Sequence, residues 1–307
     1  PFYCVTRIIM IRSLYMNETI FSPRLKKILT ILFEKSLTRV QIDEILKQTY
    51  SLSKMTLLRD LNYLVKIKKI EKTGTGSNVY YSPVEKNPLF SYVDIDEYFS
   101  DQISRDKLGT IKFNLALFDY LKNLIRPEDL KENNITNVKL SDQERKLDPT
   151  IFRREIERFV IEFSWKSSKI EGNTYSLLET EVLIKQSKEA SGHSKYEAIM
   201  ILNHKRAIEY ILEQRNKFKT ITLSEIIELH KILTKDLEVT IGIRNNPVAI
   251  SGSNYLPPAS KQEIEPILNK LTKTLNNILD PLEKALVALT FLSYMQPFAD
   301  GNKRTAR

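Results

Sequence analysis

The twelve residues "QPFADGNKRTAR", Gln296 to Arg307, bring together side chains that handle phosphate. Gly301 permits a tight backbone, and Lys303, Arg304 and Arg307 set cations around the amides of the "DGN" turn. Asp300 adds a hard oxygen donor of the sort Mg²⁺ takes when it shares its remaining positions with substrate phosphates. Such a concavity suits a polyphosphate. A second stretch, "SSKIEGN" from Ser167 to Asn173, closes a predicted helix, with Gly172 and Asn173 as ordinary helix-stop residues. The three histidines, His193, His204 and His230, fall in helical or linker sequence away from the loop and read as ordinary surface or packed residues.

The elements that must position these residues are helices. From Thr150 a long helix is expected, with Ile156, Phe159, Val160 and Phe163 on its buried face. Capping boxes at Thr222 with Glu225, Ser260 with Glu263 and Asp280 with Glu283 announce three more. The second carries Ile264, Ile267, Leu268, Leu271, Leu275 and Ile278 at helical spacing, while "LEKALVALTFLSYM" is apolar nearly all round and therefore central. Pro297 breaks that central helix and begins the loop. Between the first two lies "GIRNNPVAISGSNYLPP", 242–258, whose β-branched and turn residues predict a short hairpin.

The N-terminal part is different. Ser22 and Pro23 open an amphipathic helix with Leu25, Ile28, Leu29 and Leu32 on one face. Thr38 and Gln41 form a capping box for a second helix, which buries Val40 or Ile42 with Ile45 and Leu46. A third starts near Ser53 and buries Leu57, Leu61, Leu64 and Val65; "KKIEKTGTGSNVYYSP" then reads as two strands around a Gly-rich tip. Three short helices and a hairpin resemble a winged helix-turn-helix domain over 22–83. The resemblance implies a third helix that enters the major groove, with Lys54, Thr56, Arg59, Tyr63 and Lys66 towards DNA and Lys72 of the wing at phosphate. Charge agrees: this stretch holds twelve Lys and Arg against five Asp and Glu, a surplus of seven out of the chain's net +9.

Composition bounds the rest. The 307 residues suffice for two or three cores, and no run of about 18 uncharged apolar residues exists to cross a membrane. The single cysteine, Cys4, excludes an internal disulfide and a thiolate metal cluster, so a cytoplasmic location is expected. Residues 84–149, with the acidic "DIDEYFSDQISRD" and the polar "RPEDLKENNITNVKLSDQERKLDP", read as linker and helical connector, and 1–21 as an N-terminal extension.

The ending resembles the motif H-P-F-x-D-G-N-G-R-x-x-R of the Fic family at every fixed position but two, and "SSKIEGN" fits that family's inhibitory motif as Ser167, Glu171 and Gly172. The resemblance covers 150–307 and implies a mainly α fold, a Fic-like helical bundle with a β-hairpin flap at which a target protein docks. It implies ATP as the nucleotide and Mg²⁺ at Asp300, with Gly301, Asn302, Lys303, Arg304 and Arg307 around the phosphates. Glu171 is then expected to pair with Arg307 and block the γ-phosphate. Gln296 stands where the family has the His that takes the proton from a target hydroxyl. An amide cannot act as that base, so AMP transfer is expected to be weakened or lost. Lys303 stands where most members have Gly; the Doc branch has lysine here and transfers phosphate. An autoinhibited active adenylyl- or phosphotransferase is the alternative. The resemblance also implies a helix after the loop, so the natural chain is expected to run past Arg307. The sequence leaves the oligomeric state open.

Overall fold

A computed structural model describes residues 21–76, 78–90, 111–121, 124–125, 148–250 and 253–307. The N-terminal extension up to residue 20, the tip residue Ser77, the acidic run 94–106 and the polar stretch 126–147 lie outside the described residues. The chain divides into two compact units, Pro1–Gly109 and Thr110–Arg307.

In the first unit, α1 (Pro23–Glu34) is capped by Ser22, whose hydroxyl accepts from the Leu25 amide at 3.5 Å. Short strand β1 (Leu37–Thr38) leads into α2 (Arg39–Lys47), whose Thr38–Gln41 capping box is present, and Ser53 caps α3 (Lys54–Lys66). Strands β2 (Ile70–Thr73) and β3 (Tyr80–Pro83) form the hairpin. All three strands pair antiparallel in the order β1-β3-β2, with Leu37 opposite Tyr81 and Thr73 opposite Tyr80. One core holds Ile28, Leu32, Ile42, Leu46, Leu57, Leu61, Leu64, Ile70 and Tyr81. Of the two candidates on α2, Ile42 is buried and Val40 is 58% exposed. Arg24 is not a surface cation: its guanidinium grips the buried Asp60 carboxylate of α3, with Nη2 donating to Oδ1 at 3.1 Å.

The hairpin depends on Gly74, which has φ +86°, and a Cβ there would sit 1.9 Å from the Asn78 carbonyl oxygen. Gly74→Ala must push backbone aside as well as adopt an unfavourable φ. We expect a loss of about 2 kcal/mol or more, seen as a lower midpoint of this unit in thermal unfolding.

The second unit is helical. It contains α4 (Pro149–Ile170), α5 (Leu177–Gln186), α6 (Lys195–Glu213), α7 (Leu223–Leu233), α8 (Lys261–Asn277), α9 (Pro281–Met295) and α10 (Asn302–Ala306). The six apolar residues expected on α8 are all buried, and α9 is central, with Val287, Phe291, Leu292, Tyr294 and Met295 enclosed. Residues 111–121 and 124–125, within the stretch read as connector, pack into this unit. Phe118 meets Phe291 at 4.7 Å, Phe113 stacks on Tyr294 at 4.6 Å, and the Leu124 amide donates to Glu283 at 2.8 Å.

Several expectations need correcting. The buried face of α4 is Val160, Ile161, Ser164, Ser167 and Ser168, while Phe159 is 52% exposed. Small serines let α4 lie close to its neighbours, which a search for large apolar residues overlooks. Glu283 and Glu263 do not complete capping boxes: Glu283 accepts from Leu124, and Glu263 from the Ala259 amide at 2.9 Å. Thr222 with Glu225 does form one.

The hairpin expected over 242–258 is absent among the described residues. Its strand residues Tyr255–Leu256 (β5) instead pair in parallel with Ile111–Lys112 (β4). The physical reason is Arg244. Only 4% exposed, it draws in the carbonyls of Asn246 (2.6 Å), Pro258 (2.5 Å) and Ala259 (3.3 Å), which bends this stretch round a buried guanidinium. Pro247, Pro257 and Pro258 lack the amide donors a ladder needs.

Candidate nucleotide site

The loop after α9 is shaped by its own residues. Gln296 ends the helix in the left-handed region at φ +51°, its amide still donating to the Leu292 carbonyl at 3.1 Å. Its side chain folds back: Nε2 donates to the Ser293 carbonyl at 2.6 Å. Its carbonyl accepts from Arg244 Nε at 2.7 Å, and the Arg244 amide donates to the Pro297 carbonyl at 3.1 Å. Arg244 therefore joins the 242–259 stretch to the start of the loop. Burial lowers its pKa, and neutral carbonyls solvate the cation in place of a carboxylate.

Phe298, fully buried, is the anchor. Asn302 closes the turn around it by accepting from the Phe298 amide and donating to its carbonyl, both at 2.8 Å. Asn302, expected beside the phosphates, thus spends both side-chain polar atoms on the loop. Gly301, at φ +76°, leaves room for Thr234, whose Cγ2 would lie 3.0 Å from a Cβ.

His230 corrects an expectation, because it is not remote. Its ring stacks on Phe298 at 3.8 Å, and Nε2 lies 3.0 Å from the Asp300 carbonyl, to which it donates. Burial lowers its pKa and keeps the ring neutral, with Nδ1 unpartnered. His204 is also close in electrostatic terms. Burial first, then Arg307 and Arg304, push it down to about 3, and its buried Nε2 has no partner. The sequence signal that could have found His230 was its place on the inward face of α7, one turn before Thr234.

The cations are already engaged. Arg304, 4% exposed, donates to Asp300 Oδ2 at 2.9 Å and to the Leu233 carbonyl at 3.5 Å. Arg307 donates from Nη2 to Glu171 Oε1 at 2.6 Å and to the Ser167 carbonyl at 3.2 Å, and from Nε to the Ser167 hydroxyl at 2.9 Å. Lys303 is exposed on α10. Glu171 is set by a Schellman turn: the Gly172 amide donates to the Lys169 carbonyl and the Asn173 amide to the Ser168 carbonyl, both at 3.1 Å. So "EGN" is a helix end that also aims a carboxylate at Arg307.

Asp300 offers a carboxylate 59% exposed and shared with Arg304, and the described residues contain no group of three acids, histidines or cysteines that could cage a metal. That donor set fits Mg²⁺ held mainly by phosphates and water. The exposed Lys303 and the partly exposed Arg307 are the cations that fit a polyphosphate nucleotide, whereas Arg304 is buried.

In the first unit Lys54, Arg59, Tyr63, Lys66 and Lys72 are exposed and Thr56 is half-buried, its amide donating to the Ser53 cap at 3.1 Å. At about 100° per residue, Thr56, Arg59, Tyr63 and Lys66 share one face of α3, whereas Lys54 lies on another. Met55, 65% exposed, and Asn62 were missed on that face. In both units, no described helix is long and apolar enough to cross a membrane.

Residues 220–307 match the Fic/DOC family. Among curated proteins, a protein adenylyltransferase Fic of Nematostella vectensis is 29% identical over 160 residues, covering 50% of this chain and 37% of the relative. One of Aedes aegypti is 31% identical over 164 residues, covering 50% and 32%. The chain therefore spans about a third of the length of the curated relatives it matches. A solved Fic-domain-containing signaling protein from Bacteroides thetaiotaomicron is 27% identical, covers 54% of this chain and 65% of its own, and superposes with a TM-score of 0.46.

Proposed function

Because the chain carries a Fic/DOC family domain over residues 220–307, we propose that it binds ATP with Mg²⁺ at the loop 300–307 and that its transfer chemistry is weakened or lost. The observation that carries this reading is the Arg307–Glu171 contact at 2.6 Å, taken with the amide side chain at position 296, where the chemistry needs a base. Arg307 is the cation best placed for a terminal phosphate, and Glu171 competes for it. Arg304 holds Asp300 in place, and Asn302 with Phe298 keeps the loop closed. Asp300 would hold Mg²⁺, which would supply neutralisation of the phosphate charge. Gln296 has no basic lone pair to take a proton, and His230 cannot replace it because its free lone pair, on Nδ1, is buried away from a target hydroxyl while Nε2 donates to the Asp300 carbonyl. The N-terminal unit reads as a winged helix-turn-helix that addresses the protein to DNA, and the protein as cytoplasmic.

A second reading, an active adenylyltransferase held off by Glu171, is favoured by the names of the relatives. Both readings share one test. Removing the competitor in Glu171→Gly should tighten MgATP about tenfold in calorimetry, the scale of one charge-assisted hydrogen bond. An unchanged affinity would reduce "IEGN" to a helix cap.

A further inference from the structure

The turn that carries Glu171 is held from behind by a second cluster, made of Thr174, His193, Glu179 and Glu197. The Thr174 hydroxyl lies 2.6 Å from Glu197 Oε1 and 2.7 Å from His193 Nδ1, and His193 Nε2 lies 3.3 Å from Glu179 Oε1. Both glutamates sit in capping boxes. Glu179 accepts from the Ser176 amide at 2.8 Å, and Glu197 from the amides of Ser194 at 2.9 Å and Thr174 at 2.7 Å. These donors, the Thr174 hydroxyl first, hold the Glu197 carboxyl at about 2, and the Ser176 amide lowers that of Glu179. At neutral pH both are ionised and can only accept.

Thr174 has one hydroxyl proton, and Glu197 takes it. The hydroxyl therefore turns a lone pair to His193, so Nδ1 must donate. Glu179 can only accept, so Nε2 must donate as well. Both ring nitrogens donate only in the imidazolium. A neutral ring, in either tautomer, leaves one contact with a lone pair facing a lone pair. The groups that face the ring are Thr174 and Tyr175 of the turn, the latter's ring tilted against it at 4.2 Å, Glu179 of α5, and Glu197 of α6 through Thr174; Glu189 adds negative charge near Tyr175.

The cluster reaches Glu171 through Asn173. That side chain donates to the Glu197 carbonyl at 2.9 Å and accepts from the Tyr175 amide at 3.0 Å, while its own amide closes the Schellman turn. Whatever fixes Thr174 therefore fixes the residue that aims the carboxylate.

We propose that His193 is a protonation-dependent latch: the imidazolium pins Thr174, and through Asn173 holds Glu171 on Arg307, whereas the neutral ring loosens the turn and frees Arg307 for nucleotide. The regulatory half rests on the reading that Glu171 opposes ATP. Low pH completes the latch and weakens ATP binding; rising pH opens it and tightens binding.

The test uses the 307-residue chain with its His193→Gln and Glu171→Gly variants, between about pH 5.5 and pH 8, where an imidazole changes charge. Hydrogen exchange of a peptide spanning 170–176 reports the latch without nucleotide. Its protection, corrected for intrinsic rates, should fall as pH rises in the unmodified chain and be low throughout in His193→Gln. In calorimetry, MgATP affinity of the unmodified chain should rise with pH about tenfold more than that of Glu171→Gly, which cancels the nucleotide's own titration. Protection that is pH-independent and unaltered in His193→Gln overturns the latch, whatever ATP does. Protection that follows His193 while Glu171→Gly leaves affinity unchanged overturns the blocking role of Glu171 instead, and with it the regulation.

Discussion

Gln296→His combined with Glu171→Gly is expected to raise transfer from ATP to protein by about a hundredfold or more in the full-length protein, the amount a positioned general base supplies. The geometry gives the reason. Gln296 sits at the end of α9 with its amide turned back to the Ser293 carbonyl, and His230, near the same loop, is tied to Asp300. The amide has no basic lone pair and the free lone pair of His230, on Nδ1, is buried, so neither takes a proton from a target hydroxyl. Arg244 and the Asn302–Phe298 clamp hold the backbone on both sides of position 296, so a histidine enters a loop already shaped. Lys303 bears on the product: Lys303→Gly should favour AMP transfer by letting backbone amides approach the phosphates, whereas the lysine suits phosphoryl transfer. Label in the α- or γ-phosphate separates the two. If the triple variant binds ATP and labels nothing, the site is a nucleotide sensor and the reading of Gln296 as the sole lesion is wrong.

DNA binding should be equally sensitive to conditions. If Arg59, Lys66, Lys72 and one further cation meet phosphates, affinity for duplex DNA should fall about a hundredfold between 50 and 200 mM salt, because each contact releases condensed counterions. Fluorescence anisotropy of a labelled duplex measures the slope. Arg59→Glu with Lys66→Glu, both exposed on one face of α3, should abolish binding at the higher salt without altering MgATP affinity. Arg24→Glu would be uninformative, since Arg24 is spent on Asp60 and its loss strands a buried carboxylate. No binding even at low salt would make this unit a protein-docking module.

Much of this protein is local in character, and such features were legible in the residue order. Capping at Ser22, Thr38, Ser53 and Thr222, the buried stripe of α8 and the break at Pro297 each depend on neighbours within a few residues. The contact of Glu171 with Arg307 was legible only through the family resemblance, since 136 residues separate the partners. Where partners are distant and no motif links them, the sequence alone was silent or misleading. Arg244 carried no signal of its own in the sequence, yet it meets carbonyls at 246, 258, 259 and 296 and so turns an expected hairpin into a bent strap. His230 looked like a surface or packed residue, but the fold stacks it on Phe298 and has its Nε2 donate to the Asp300 carbonyl. Glu283 and Glu263 had the spacing of capping boxes, but other amides lay closer in space. Composition and spacing determined which helices form and which residue types line the loop, because helix signals are short-range. Tertiary packing alone decided which charges are free and which are spent, because a hydrogen bond goes to whichever partner the folded chain brings within about 3 Å.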